Sequence, residues 1–238
     1  MTETHAARTP HIALIIPALN EEETIGNTLN RVPPDLYGTI IVADNGSTDR
    51  TAEIARRNGA LVVNEPERGY GAACLRALLA LPAETSIAVF MQADGSEDPA
   101  QADRLIRPLL EGRADLVLGS RTMGTADPGA LQLHQKVGNF VATAMIATLF
   151  NHRFSDLGPY RAISLNAYRR LGMRDRGYGW TVEMQVRALR RRLRIMEVPV
   201  SYSLRVAGTN KISGNWRASI QAGFKILFTV VRLAIAAR

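Results

Sequence analysis

Five short apolar runs rich in β-branched residues, each followed by a stretch of helical periodicity, constrain this chain more than any other feature. HIALII at 11–16, TIIVA at 39–43, ALVV at 60–63, SIAVFMQ at 86–92 and DLVLG at 115–119 read as strands. Between them lie a helix over EEETIGNTLNRV with Asn20 as its cap, a helix from about Thr51 to Asn58, a helix over GYGAACLRALLAL, and one begun by Pro99 and ending at Glu111. Strands this apolar are buried on both faces. The expectation is an α/β fold with a mostly parallel central sheet flanked by helices.

After Arg121 the rhythm changes. A long apolar helix is expected near 132–150, strands at YRAIS (160–164) and RIMEVPV (194–200), a helix over 180–192, and a final helix from Trp216. No internal repeat or low-complexity linker is evident. The division is a flexible N-terminus at 1–9, one catalytic domain at 10–215 and a C-terminal amphipathic helix at 216–238. With 238 residues, 46% of them hydrophobic, the chain is long enough for one sizeable core. Its formal net charge of +7 favours anionic partners. Cys74 stands alone, which excludes an intrachain disulfide and fits a reducing compartment, and the four histidines lack zinc-ligand spacing. The polar start lacks a signal core, and no run is apolar enough to span a bilayer, so a cytoplasmic protein, soluble or at the membrane surface, is expected.

In open parallel sheets, ligands bind beyond the carboxyl ends of the strands. Three such ends carry polar clusters here: PALNEEE, ADNGSTD and QADGSEDP. Carboxylates converging from separate strands repel one another unless a cation or hydrogen-bond donors lie between them, and a metal–diphosphate is one such occupant.

PALNEEETI (17–25), ADNGSTDRT (43–51), RGYGAA (68–73) and QADGS (92–96), in this order, resemble the family 2 glycosyltransferases of GT-A fold. HQKVGN (134–139), DLGPYRAIS (156–164) and GWTVEMQ (179–185) are similar to the branch that contains the dolichol- and polyprenyl-phosphate hexosyltransferases. The resemblance implies that Pro17, Ala18, Asn20 and Glu21 or Glu22 line the base and ribose pocket. It implies that Asp44 accepts from a base N–H, that Gly46 and Ser47 make a tight turn, and that Arg68 and Gly69 lie beside the nucleotide. Asn45 stands where the family has a second acid. Asp94, next to Ala93, matches the last acid of the family's Asp-x-Asp metal motif, whose first acid is Gln92 here. Asp94, weakly aided by Gln92, would hold Mg2+ or Mn2+, with Ser96, Glu97 and Asp98 near enough to contribute. Asn20, Asp49 and Asp98 also read as helix caps, and Asp44 as purely structural.

The same resemblance places Asp156 near the reacting centre and gives Arg161 an acceptor phosphate, with Arg121 and Lys136 adding positive charge. The plainer alternative is an ion pair between Asp156 and Arg161. Family likeness implies inversion by one in-line displacement. A phosphate acceptor needs no strong base; a hydroxyl acceptor needs a carboxylate, for which Asp156 is the candidate. Glu183 would orient one of these groups or meet the donor sugar.

RALRRRLR (187–194) holds five arginines in eight residues. It reads as a solvated basic face or a contact for lipid head groups, and without an aromatic-basic motif it does not read as a nucleic-acid site. On the last helix Arg217, Gln221, Lys225, Thr229 and Arg232 form a polar stripe beside a wide apolar surface. That pattern suits a helix lying in the membrane interface, with packing on its own domain or homo-oligomer formation as alternatives. The expected function is transfer of a hexose from a UDP- or GDP-sugar to a polyprenyl phosphate. The rivals are a GT-A enzyme with a non-lipid hydroxyl acceptor and a noncatalytic nucleotide-sugar-binding module.

Overall fold

The computed structural model describes residues 10–205, residue 207 and residues 216–235, with side chains of the last segment described from Gly223 onward. The flexible N-terminus expected at 1–9 and the side chains of Arg217 and Gln221 lie outside the described residues. The strands are β1 (His11–Ala18), β2 (Thr39–Asp44), β3 (Leu61–Asn64), β4 (Thr85–Phe90), β5 (Leu116–Ser120), β6 (Arg161–Ser164) and β7 (Ile195–Pro199). The helices are α1 (Ile25–Asn30), α2 (Thr51–Arg57), α3 (Tyr70–Leu79), α4 (Ala102–Leu110), α5 (Leu133–Phe150), α6 (Leu165–Leu171), α7 (Trp180–Arg190) and α8 (Trp216–Ile235).

The strands form one seven-stranded sheet of order β3-β2-β1-β4-β6-β5-β7. Only β6 runs antiparallel to its neighbours, β4 and β5. Its start therefore lies at the edge where the parallel strands end, which brings Arg161 to the functional side. The sheet separates two apolar layers. One packs Ile15, Phe90, Trp180 and Met184 together, and the other Leu14, Val89, Leu105 and Tyr160. Alternation along β1 and β4 feeds both layers, which is why these strands read as continuous apolar runs.

One local expectation is corrected. Asn20 does not cap a helix. It adopts φ 48°, a left-handed conformation that asparagine tolerates, and α1 begins only at Ile25. Glu21 to Thr24 form a turn in which Glu21 O accepts from Thr24 N at 3.0 Å and Ile25 N at 2.8 Å. Helix α6 was not anticipated; Ser164 caps it by accepting from Ala167 N. Asp98 is a cap as one reading had it, accepting from Ala100 N ahead of the Pro99–Gln101 turn.

The C-terminal helix differs from its expected pose. The described part of its polar stripe faces the domain: Lys225 Nζ lies 3.1 Å and Arg232 3.9 Å from the buried carboxylate of Asp175, and Thr229 is buried. Val230 and Leu233 are buried as α8 packs on α5 and α7. The outer surface carries Phe224, Phe228, Val231 and Ile235, with Phe228 61% and Ile235 76% exposed. Arg187 and Arg194, at the two ends of the basic run, are also engaged. Arg187 pairs with Glu183 at 2.8 Å, and Arg194 with Asp115 at 2.8 Å. Among the described residues, no helix is long and apolar enough to cross a membrane.

Candidate active site

The loops after β1, β2 and β4 meet at one sheet edge and enclose a cavity of about 290 Å³. Pro17, Ala18, Glu21, Arg68, Gly69, Gln92, Ala93, Asp94 and Arg121 line it. Asn20, Glu22, Asp44 and Ser47 do not line it; they build its wall. Asn20 Oδ1 accepts from Thr48 N at 2.8 Å, and Asn20 N donates to Ser47 Oγ at 2.9 Å. Ser47 N donates to Asp44 Oδ1 at 3.0 Å, and Glu22 pairs with Arg50 at 3.2 Å. Asp49 ties the same two loops by accepting from Glu22 N and Thr51 N.

Asn45 carries a role the sequence did not disclose. Its amide donates to Glu65 O at 3.1 Å and Glu67 O at 2.7 Å, and accepts from Gly69 N at 2.8 Å. A carboxylate cannot make the two donations. The departure from the family's second acid thus serves a specific geometry.

Asp94 is buried at the cavity floor. Its Oδ1 accepts from Ser96 N at 3.1 Å and Ser96 Oγ at 2.5 Å. Its Oδ2 meets Arg205, 3.2 Å away, and Arg205 also pairs with Glu21. Arg205 arrives from the segment after β7, which is pinned across the Asp94 turn by Ser203 N donating to Ser96 O at 2.8 Å. No sequence pattern signals this residue, because its arrival depends on β7 pairing beside β5. Gln92 Oε1 accepts from Ser96 Oγ at 3.3 Å. Glu97 lies beneath, accepting from Gln92 N at 2.8 Å, and burial pushes its carboxyl up to about 8.

Among the described residues no group of three or more His, Cys, Asp or Glu is placed to hold an ion. The donor set still fits a hard divalent cation that takes most of its oxygens from a bound diphosphate and water, with Asp94 as the protein carboxylate. The guanidinium of Arg205 at Asp94 Oδ2 marks the position as one that receives positive charge.

A second cavity of about 270 Å³ adjoins the first, sharing Tyr70, Gln92, Arg121, Gln135 and Tyr178. It extends between α5 and α8 past Gly138, Leu157, Pro159 and Ile226. Arg121 is the cation common to both. Asp156, only 2% exposed, holds it through contacts of 2.7 and 2.8 Å and accepts Arg121 N at 2.9 Å. Burial alone would lower the Arg121 pKa, but Asp156 raises it above the ordinary arginine value. The Asp156 loop is fixed in turn: Glu197 accepts from Ser155 N at 3.0 Å, Gln185 donates to Asp156 O at 3.1 Å, and Asn139 accepts from Leu157 N at 2.9 Å.

Arg161 is not in either cavity. It is 0% exposed, donates to Thr181 O at 2.8 Å and to Gly158 O, and burial lowers its pKa to about 10. Asp156 pairs with Arg121 and not with Arg161. Lys136 is exposed on α5 and lines neither cavity. Glu183 is buried; it accepts from Arg174 N at 3.0 Å and Asp175 N at 2.6 Å, and so orients backbone rather than ligand.

A tetrapeptide repeat escaped the sequence reading. Arg-Gly-Tyr-Gly occurs at 68–71 and again at 176–179. The fold stacks the two copies. Gly71 N donates to Gly177 O at 3.2 Å and Ala72 N to Arg176 O at 2.8 Å. A Cβ on Gly69 or Gly71 would overlap the carbonyl oxygens of Arg176 and Asp175.

This geometry agrees with known proteins. Residues 13–192 match Glycosyl transferase family 2. An uncharacterized glycosyltransferase of Mycobacterium bovis is 38% identical over 213 residues, covering 89% of this chain and 94% of its own. The UDP-N-acetylglucosamine--dolichyl-phosphate N-acetylglucosaminyltransferase of Methanococcus voltae is 29% identical over 249 residues, covering 93% and 95%. A crystal structure of glucosyl-3-phosphoglycerate synthase from Mycobacterium tuberculosis, in complex with Mn2+, UDP-glucose and glycerol 3-phosphate, superposes with a TM-score of 0.75 at 25% identity, covering 96% of this chain and 82% of that one. The chain belongs to glycosyl transferase family 2 and is a glycosyltransferase of GT-A fold.

Proposed function

We propose that this enzyme moves a hexose, with inversion, from a UDP- or GDP-sugar to a polyprenyl phosphate at the cytoplasmic membrane surface. The observation that carries this reading is the second cavity: it joins the donor cavity at Arg121 and continues between α5 and α8. The outer sides of those helices expose Leu133, Val137, Phe140 and Val141 on α5, and Phe224, Phe228, Val231 and Ile235 on α8. Apolar surface of this extent suits the interface of a bilayer, with the acceptor's head group entering between the helices. Curated relatives that act on lipid phosphates, the dolichyl-phosphate enzyme above and the undecaprenyl-phosphate mannosyltransferase of Micrococcus luteus, 29% identical over 215 residues, support the same reading.

The residues divide the work. Pro17, Ala18, Glu21, Arg68 and Gly69 line the nucleotide end, and Asp44 behind them holds the turn at Ser47. Asp94 binds a divalent cation with the diphosphate, and Gln92 aids through its carbonyl. Bound there, Mg2+ or Mn2+ would offset charge on the departing nucleoside diphosphate. Arg121 holds the acceptor phosphate. Asp156 is a positioning residue, since it is buried and both its oxygens grip Arg121. A phosphate nucleophile is already ionised near neutral pH, so Asp156 need not take a proton. The role first implied for Arg161 passes to Arg121, with Lys136 outside the cavity. A soluble phosphorylated acceptor is the second reading, favoured by the likeness to the phosphoglycerate enzyme.

The test offers UDP- and GDP-sugars with Mn2+ or Mg2+ to the purified enzyme, with polyprenyl phosphate in anionic liposomes or with 3-phosphoglycerate, and reads products by mass spectrometry. Hexosyl polyprenyl phosphate is expected, and Asp94→Asn should lower its formation about a hundredfold or more. Product from 3-phosphoglycerate alone would replace the lipid assignment by the second reading. No donor turnover in any combination would sink both.

A further inference from the structure

Asp175 is a charged side chain that neither cavity uses, yet it is buried and reached from four directions. Lys225 and Arg232 of α8 lie 3.1 and 3.9 Å from its Oδ2, and Thr229 Oγ1 3.5 Å away. Its Oδ1 accepts from Gly177 N at 2.9 Å. Its backbone N is held by Glu183 at 2.6 Å. Next to it comes the second Arg-Gly-Tyr-Gly copy. Arg176 O and Gly177 O accept from the first amides of α3, which a helix N-terminus otherwise leaves without partners. Arg176 pairs with Glu67 at 2.7 Å and Glu65 at 3.4 Å, and Tyr178 lines both cavities.

We propose that Asp175 is a positioning residue that links the seating of α8 to the wall of the donor cavity. The inference rests on the cavity at Asp94 being the nucleotide-sugar site. The path has three links. The inward cations of α8 fix the Asp175 carboxylate; that carboxylate fixes the turn at Gly177; and the carbonyls of that turn hold the start of α3, where Tyr70 and Ala73 line the donor cavity. Glycine 179 shows how closely α8 is applied. A Cβ there would stand 2.5 Å from Thr229 Oγ1 and 2.6 Å from Asp175 Oδ2. Its φ of −74° is open to any residue, so alanine at this position acts by contact alone.

Lys225, Thr229 and Arg232, which a free amphipathic helix would show to head groups, thus engage Asp175. The apolar side of α8 is left outward.

The experiment uses the full chain and two readouts. UDP and GDP binding in the presence of Mn2+ is measured by calorimetry, and amide exchange of Gly71 and Ala72 by NMR or mass spectrometry. Asp175→Asn keeps the side chain's size and its acceptor for Gly177 N but removes the charge that α8 needs. It should weaken nucleotide binding about fivefold or more and speed exchange of the two amides, while amides of β1 and β4 keep their protection. Lys225→Met with Arg232→Met, on the other element and outside the cavity, should reproduce both effects. Combined with Asp175→Asn, that double change should add little, because all three act on one link. Additive losses, or slow exchange at Gly71 and Ala72 in every variant, would overturn the linkage. Loss of protection throughout the sheet would assign Asp175 to general stability instead and overturn it too. If the wild type binds neither nucleotide, the site reading fails, and the exchange data still decide whether α8 and α3 are linked.

Discussion

On the donor side, the loops after β1, β2 and β4 are joined by short side chains bonded to nearby backbone. Asn20 holds Thr48, Asp49 holds Glu22, and Asn45 holds Glu65, Glu67 and Gly69. Around the second cavity, the proposed acceptor side, the joints are charged side chains, with Asp156, Arg161 and Asp175 buried and Glu197 half-buried: Asp156 on Arg121, Glu197 on Ser155, Arg161 on Gly158 and Thr181, and Asp175 on α8. Short links, neutral at Asn20 and Asn45 and anionic at Asp49, make a wall of stretches 20 to 28 residues apart. Buried charges commit several elements at once, and each is costly to strand. The two halves should therefore fail differently when cut.

The largest effect is expected at Arg161. If the half around the second cavity is built on buried charge, Arg161→Ala empties a large volume and removes the guanidinium's donations to Gly158 O and Thr181 O. The cost should be about 3 kcal/mol or more, seen as a lower midpoint in urea unfolding. Catalysis by the folded fraction should fall less than stability does. Arg121→Lys is the contrast: it should spare the fold better and raise the KM for the phosphate acceptor, since a lysine cannot copy the two-pronged contact with Asp156. If Arg161→Ala leaves the midpoint unchanged and raises acceptor KM alone, the assignment of the two arginines must be exchanged.

This contrast also explains what could be read from the residues alone. Strands β1 to β5 and their helices were legible because each is a local apolar period. The donor motifs were legible because they follow those strands directly. Arg161 misled because its sequence neighbourhood matches the acceptor segment, while the antiparallel entry of β6 turns its side chain under Trp180 and away from the cavity. Arg205 and Asp175 were silent for another reason. Their partners lie at Asp94 and Glu21, and at Lys225 and Arg232, and nothing in spacing announces such pairings. The α8 wheel was read correctly as amphipathic, but burial of Asp175 reversed which stripe faces inward.

A smaller effect tests the donor half. Asn45→Asp restores the acid usual in the family and so appears conservative by likeness. Here it removes two donated bonds and sets carboxylate oxygens against the carbonyls of Glu65 and Glu67. Stability should fall by about 1–2 kcal/mol, and UDP affinity with it, because Gly69 and Arg68 hang from the same loop. A variant as stable as the wild type would mean that the donor wall does not depend on these bonds. The comparison between neutral and charged joints would then lose one side.

The smallest expected effect lies where the two halves touch. Arg205 comes from the acceptor side, after β7, and rests on the donor side's Asp94 and Glu21. Removing its charge leaves two carboxylates near each other without a counterion, which should attract a free cation more strongly. Arg205→Gln should therefore bind Mn2+ alone about three- to tenfold more tightly than the wild type, as read by the loss of the free-ion EPR signal. With UDP present the gain should shrink or reverse, because the diphosphate brings its own negative charge and the lost guanidinium no longer offsets it. The ratio of Mn2+ affinities with and without UDP is thus the sensitive quantity, and it should be higher for the wild type. Equal ratios in the two proteins would make Arg205 a strut between loops, and the halves would then meet through packing and not through exchange of charge at Asp94.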